Sequence, residues 1–302
     1  MATAKSTADP RKLTRAEKLI DASAKIMDMQ PEGRDMAFTH AVLCQVGLPR
    51  SKFVGREFMR QSGAAWVNVQ AGWIDEGNGP VQQPIPYGAL PRLALAWIST
   101  QAVRMKCREI AIGSSASDFL RMLGKTATGG KTGSFSMLRM QMHALAACRL
   151  QLGFKGRTYT DQPVAQFDAW LRDKDHRQKS LWPGVIVLSE SYFKSLTEGK
   201  KAVPLDNRAL LALSDSALAL DVYIWLAYRL HDIKGKGVTL YWKSLREQFA
   251  QEYRGKNSDK DFKKRFLPAL KKALAVYPTA RVKPVTGGIL LLCSPPPVAY
   301  KE

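Results

Sequence analysis

Cysteine, histidine and acidic side chains are all scarce in this chain of 302 residues, which has four Cys, four His and 26 Asp plus Glu against 46 Lys plus Arg. Cys44, Cys107, Cys148 and Cys293 stand singly among apolar neighbours, and no pair has zinc-site spacing. They read as buried free thiols of a cytoplasmic protein, with no metal and no other cofactor expected. His40, His143, His176 and His231 are too far apart in sequence for the His-apolar-His cluster that a nicking enzyme sets beside its nucleophilic Tyr. A long apolar run is missing as well. The most apolar stretch, Ala217 to Leu230, is shorter than the roughly 20 residues that span a bilayer and contains Asp221 and Arg229. It reads as a core helix. The opening residues MATAKSTADPRKLTRAEK are basic but have no signal-peptide apolar run behind them, so a membrane partner is not expected.

The shortage of acids leaves a formal charge of +20 and a pI near 9.9 on a chain with an ordinary 45% hydrophobic content. A charge of that size points to a polyanionic partner, and with the membrane set aside that partner is nucleic acid.

Catalytic patterns are equally sparse. No G-x-S-x-G elbow occurs. Gly124 to Thr132 resembles a phosphate-binding loop, but five residues, not four, precede Gly130-Lys131-Thr132, and the segment follows a helix rather than a strand. It reads better as the turn of a helix-turn-helix in which Lys131 approaches a DNA phosphate. Asp173, Asp175 and His176 alternate with Arg172, Lys174 and Arg177, the pattern of a solvated loop rather than an ion site.

Periodicity predicts the elements. Thr14 and Glu17 have capping-box spacing ahead of a helix to about Met27. Trp66, Val67 and Val69 suggest a hairpin that turns at Gly63. One order of elements then occurs twice: Leu93–Val103, Glu109–Ile112, Asp118–Leu123, Ser134–Cys148, and again Ala217–Leu230, Val238–Trp242, Ser244–Tyr253, Ser258–Val276. Each copy runs helix, strand, helix, turn, helix and closes in a β-ribbon, Leu150–Tyr159 in the first and Ala280–Leu292 in the second. That is the order of a winged helix-turn-helix; chance similarity of two helical segments is the alternative. The expected fold is therefore α+β, two tandem winged helix-turn-helix domains with an N-terminal helix and hairpin. The expected boundaries are a basic tail and lead-in helix over 1–30, a first domain over 31–160, an exposed linker over 161–183 and a second domain over 184–302.

The DNA-contacting residues follow from helical angle. Thr132, Ser136, Arg139 and His143 form one stripe of the first recognition helix, with Lys131 ahead of it and Lys155 and Arg157 on its ribbon. In the second copy Phe262, Phe266, Leu270 and Leu274 make the apolar face, and Lys260, Lys264 and Lys271 stand opposite with Arg265 and Lys272 on a flank. Arg281 and Lys283 lie on the second ribbon. Between Lys234 and Thr286 there are 14 Lys and Arg against 4 acids, half of the chain's excess. Pro268 is expected to kink or split this last helix. Arg139, with hydroxyls on its stripe, suits base edges, and the lysines suit phosphates.

Several longer motifs occur in a fixed order: Ile85-Pro86-Tyr87-Gly88, Pro91-Arg92-Leu93, Leu95-Ala96-Trp97-Ile98, Phe119 through Gly124, Thr128-Gly129-Gly130, Leu138 through Met142, Ala202 through Asp206, Leu218 through Leu230, Gln248-Phe249, Tyr277 through Ala280 and Ser294 through Pro297. On these the chain resembles the plasmid-encoded RepA-type replication initiators, from about residue 40 to its end. The resemblance implies a non-catalytic protein that binds repeated double-stranded sites at a plasmid origin and recruits the host initiator and helicase machinery. A second copy of the chain is a further partner it admits. It also implies tandem winged helices, with Trp97, Trp225 and Tyr228 in the core. A plasmid-borne repressor and, from a different class, a nicking replication enzyme are the alternatives.

Overall fold

The computed structural model describes residues 14–167, 184–198, 202–251 and 256–299. The basic tail and the charged run Arg172–Arg177 lie outside these residues.

Helix α1 (Arg15–Asp28) starts where the sequence places it, because the capping box closes: the Glu17 N–H donates to Thr14 Oγ1, and the Thr14 N–H to the Glu17 carboxylate at 2.7 Å. Strand β1 (Met36–His40) leads into the short α2 (Ala41–Gln45), and the expected hairpin forms from β2 (Glu57–Ser62) and β3 (Ala65–Gln70). Gly63 turns it at φ +57°, a left-handed value that suits glycine. A second, smaller ribbon, β4 (Trp73–Asp75) and β5 (Pro80–Gln82), precedes α3 (Ala89–Met105), which is buried on almost every side. Then come β6 (Glu109–Ala111), α4 (Ala116–Met122) capped by Ser115, α5 (Ser134–Ala147), β7 (Arg149–Phe154), β8 (Arg157–Asp161) and β9 (Val164–Phe167). The later half holds β10 (Val185–Leu188), α6 (Glu190–Thr197), β11 (Ala202–Asp206), α7 (Asn207–Ala212), α8 (Ala217–Arg229) and β12 (Val238–Tyr241). It finishes with α9 (Trp242–Phe249), α10 (Ser258–Ala275), β13 (Val282–Val285) and β14 (Gly288–Leu291). The fold is thus mixed α and β, and α10 runs unbroken through Pro268.

Two three-stranded antiparallel sheets share one plan. In β12-β14-β13 the strand after the first helix pairs with the last strand, and the middle strand lies at the edge; β6-β10-β9 repeats this order. This corrects the reading of the first ribbon. Leu150–Tyr159 does form a hairpin, β7-β8, but it extends the β2-β3 hairpin into a four-stranded sheet, with Val67 opposite Leu152 and Val69 opposite Leu150. The ribbon equivalent to β13-β14 is β9-β10. Val164–Phe167, expected in an exposed linker, is therefore a strand, and Val185–Leu188, expected to open the second domain, completes a sheet of the first. Alternating apolar residues identify a strand without naming its partner, and here four apolar side chains are removed from water by pairing β7 with β3.

The halves are stitched together. β1 pairs with β11 from Met36↔Asp206 to His40↔Ala202, and the buried apolar residues of both halves form one continuous cluster. Between the two long core helices lies a buried ion pair. Arg92 of α3 donates from Nε to Asp221 Oδ1 of α8 at 2.6 Å and from Nη2 to Oδ2 at 2.8 Å, and the two side chains are only 6% and 8% exposed. The remaining Arg92 donors reach the carbonyls of Leu48, Pro49 and Gly88. Gly47 is required beside it, because a Cβ there would lie 2.8 Å from Asp221 Oδ1.

Not every thiol is buried. Cys44 and Cys148 are, and burial pushes the Cys148 thiol up to about 12; Cys107 is partly exposed and Cys293 exposed, against expectation. Trp225 is in the core, while Trp97 and Tyr228 pack against it half-buried.

Candidate nucleic-acid interface

An aromatic column fixes the orientation of α10. Trp225 of α8 meets Phe249 edge-on at 5.2 Å, Phe249 meets Phe266 at 5.5 Å, and Phe266 meets Phe262 at 5.1 Å. With Phe262, Phe266, Ala269, Leu270 and Ala273 buried, the helical repeat leaves Lys260, Lys264, Arg265, Lys271 and Lys272 on the surface, and all five are exposed. The helix start is tied to α9 by an Arg246–Asp259 ion pair. Arg281 and Lys283 are exposed beside and on the edge strand β13. The result is a predominantly basic surface over a helix and its adjoining ribbon, interrupted by the exposed Asp261 in the first turn of the helix, and its cations are spaced to follow phosphates.

Sequence reasoning missed Lys263. It is exposed, and its Nζ lies 5.2 Å from the centre of the Trp242 ring. Its signal was present, since it sits among the named lysines, but a strict opposite-face wheel passed over it.

The stripe on α5 is only partly realised. Lys131 and Thr132 are exposed ahead of the helix. The loop before them is cinched: the Thr128 N–H donates to Ser134 Oγ at 2.7 Å, the Ser134 N–H donates to Thr128 Oγ1 at 2.9 Å, and Ser136 Oγ donates to the Gly130 carbonyl at 2.9 Å. Gly133 has no room for a side chain, a Cβ falling 2.1 Å from the Gly129 carbonyl oxygen. Beyond Ser136 the expectation fails. Arg139 pairs with Glu76 at 2.9 Å, and His143, only 1% exposed, donates from Nδ1 to the other oxygen of Glu76 at 3.0 Å. Gln83 donates to the same oxygen at 3.0 Å. The turn between β4 and β5 thus covers the polar stripe that a helical wheel assigns to solvent, and His143 is a packed residue with the Phe167 ring 5.6 Å away. Lys155 sits in the turn of β7-β8 and Arg157 opens β8, on the hairpin expected for them, but that hairpin belongs to the four-stranded sheet and not to the sheet of β6.

This cluster titrates. Burial opposes the Glu76 charge, but hydrogen bonds from His143 and Gln83 and the Arg139 charge outweigh it, and its pKa is lowered. Burial lowers that of His143, with the Arg139 charge adding to it and Glu76 opposing. Both groups bind fewer protons folded than unfolded, so the stability they contribute is full above about pH 6.5 and is lost as pH falls below it. Urea midpoints at pH 7.5 and 5.5 should show this loss, and His143→Gln should shrink it. Arg139→Ala, which strands part of Glu76's bonding, should cost about 1–2 kcal/mol in urea unfolding.

Among the described residues no cluster of His, Cys, Asp or Glu could hold a metal ion, and no helix is long and apolar enough to cross a membrane. Asp173, Asp175 and His176 lie outside those residues. A family model described as plasmid-encoded RepA protein matches residues 85–244, which reach from the approach to α3 into α9. No curated protein and no solved structure matches the chain.

Proposed function

The chain belongs to the plasmid-encoded RepA protein family, and from that membership we propose that it is a replication initiator that binds repeated double-stranded sites at its plasmid's origin and recruits host replication proteins. In this reading both repeats are winged helices, with α10 and the β13-β14 ribbon as one DNA-reading unit and α5 with the β9-β10 ribbon as the other. The protein takes no catalytic step; its work is binding.

The observation that carries the reading is the exposed basic face of α10, held rigid by the aromatic column behind it. The repeated sheet order supports the pairing of the two units. The placement of Arg139 changes the division of labour. With its guanidinium held by Glu76, base reading in the first unit rests on Lys131 and Thr132 in the turn just ahead of α5, and α10 supplies the phosphate contacts of the second unit.

Footprinting the protein on the plasmid's replication region tests this directly: discrete, repeated protected sites are expected, and their absence would remove the reading. Replication of a minimal origin with the protein supplied in trans separates an initiator from a repressor. Incubation of supercoiled origin DNA with Mg²⁺ or Mn²⁺ should leave it intact, whereas a nicked circle or a covalent Tyr adduct would make the protein an enzyme.

A further inference from the structure

The loop from α2 to β2 contains Arg50, Ser51, Lys52, Phe53, Val54, Gly55 and Arg56, and every residue from Ser51 to Arg56 is exposed. Val54 at its tip is 94% exposed, and Phe53 beside it is 37% exposed. Val54 is the most exposed large apolar side chain among the described residues, and it stands between the cations Lys52 and Arg56.

The loop is firmly built below its tip. The Pro49 carbonyl accepts the Gly88 N–H and Arg92 Nη1, both at 3.0 Å. Buried Arg60 reaches the carbonyls of Gly47 and Leu48 and lies over the Phe58 ring at 5.0 Å. Phe53 leans edge-on against that same ring at 5.5 Å. Gly55, at φ +147°, lets the chain double back, since a Cβ there would stand 2.8 Å from the Phe53 ring. These supports end at Phe53 and hold Val54 out.

Its position is informative too. A cleft of about 350 Å³ runs beneath the loop, lined by Pro49 to Val54 on one side and by Gln251 on the other. Gln251 lies just after α9 and donates from Nε2 to the Gln61 carbonyl at 2.9 Å. The tip therefore adjoins the end of α9 from which the chain passes to α10 and its cations.

We propose that this loop is a DNA wedge. Phe53 and Val54 enter the minor groove at a base step and partly unstack it, while Lys52 and Arg56 rest on the flanking phosphates. Two apolar side chains on a stiff stalk match the size of a base step, and such insertion kinks and untwists the duplex. A lipid surface would call for a broad apolar face along an element, which two side chains do not provide. The proposal rests on the DNA-binding reading above and adds to it a part that distorts rather than reads.

The test is a closed circular plasmid carrying the replication region that encodes the chain, relaxed by topoisomerase I with and without protein. Wild type should change the linking number in proportion to bound protein. Val54→Ser with Phe53→Ser should cut the change per bound molecule by more than half, with Kd rising less than about tenfold. Val54→Ser alone, at an exposed tip, should do the same in smaller measure with an unchanged melting temperature, which separates the effect from misfolding. If wild type binds without changing the linking number, or the variants change it as wild type does, the wedge is refuted and the DNA reading stands. If wild type fails to bind the plasmid at all, the DNA reading falls and the wedge with it. Loss of binding to vesicles of anionic phospholipid in the variants, with the linking-number change intact, would assign the tip to a membrane and overturn the proposal.

Discussion

Asp221→Ala will lower the free energy of unfolding by about 3–5 kcal/mol, because it leaves the Arg92 guanidinium buried between two helices without its counter-charge. The three backbone carbonyls that also hold Arg92 stay in place, so the arginine has no low-energy route to solvent. The natural pair need not be stabilising overall, since the desolvation of two buried ions offsets much of their attraction. Replacing both residues, Arg92→Met with Asp221→Leu, should therefore cost much less than the single change, and the two changes should be strongly non-additive. Urea titrations measure this. The midpoint should fall at an unchanged slope if the halves still unfold together. A split into two transitions would mean that the ion pair, rather than the shared sheets and core, couples the halves.

The second large effect belongs to α10. Replacing Lys260, Lys264 and Lys271 together by alanine should make the slope of log K against log salt shallower by about 2.7, since each phosphate left without its lysine removes about 0.9. Extrapolated from 1 M salt, where counterion release contributes nothing, to physiological ionic strength, this amounts to about a hundredfold loss of affinity. Origin and random duplexes should lose alike, because phosphate contacts carry no sequence information. Wild type itself should show a slope of about −5 to −9 if about six to ten phosphates are engaged. A specific loss on origin DNA alone would give α10 the base-reading role and leave phosphate binding to the start of α5.

Sequence pattern reached local features and stopped at distant ones. The capping box at Thr14, the hairpin at Gly63 and the order helix, strand, helix, turn, helix in both repeats were legible because each depends on neighbours within a few positions, whereas the closing ribbon of the first repeat was not. The aromatic face of α10 was legible for the same reason. What could not be read was partnership. Nothing near Leu150 says that it will face Val69, and nothing near Ile186 says that it will lie between Ile110 and Phe167, residues from two earlier segments. His143 shows the same limit at one residue. On a helical wheel it lies with Thr132, Ser136 and Arg139, and only residues distant in sequence, Glu76 and Phe167, show it to be packed. Pro268 erred the other way. Local chemistry predicts a break, and tertiary packing on α8 carries the helix through. The loop of Phe53 and Val54 has no periodicity at all, so only its exposure reveals it.

The strand pairs that join early and late segments also impose an order on synthesis. Because a chain leaves the ribosome from its N-terminus, β1 and β6 emerge long before β11 and β10 exist to pair with them. Arg92 likewise waits for Asp221. The first repeat can assemble its α5 packing and its β2-β3-β7-β8 sheet early, since these lie within residues 57–167, but its three-stranded sheet stays open until residues 185–188 are made. Non-local pairings of this kind are slow to form and expose strand edges while they wait. A chain cut between the repeats would keep that exposure permanently. For this molecule the two repeats are therefore a unit of folding as well as of sequence, completed only when its second half has been made.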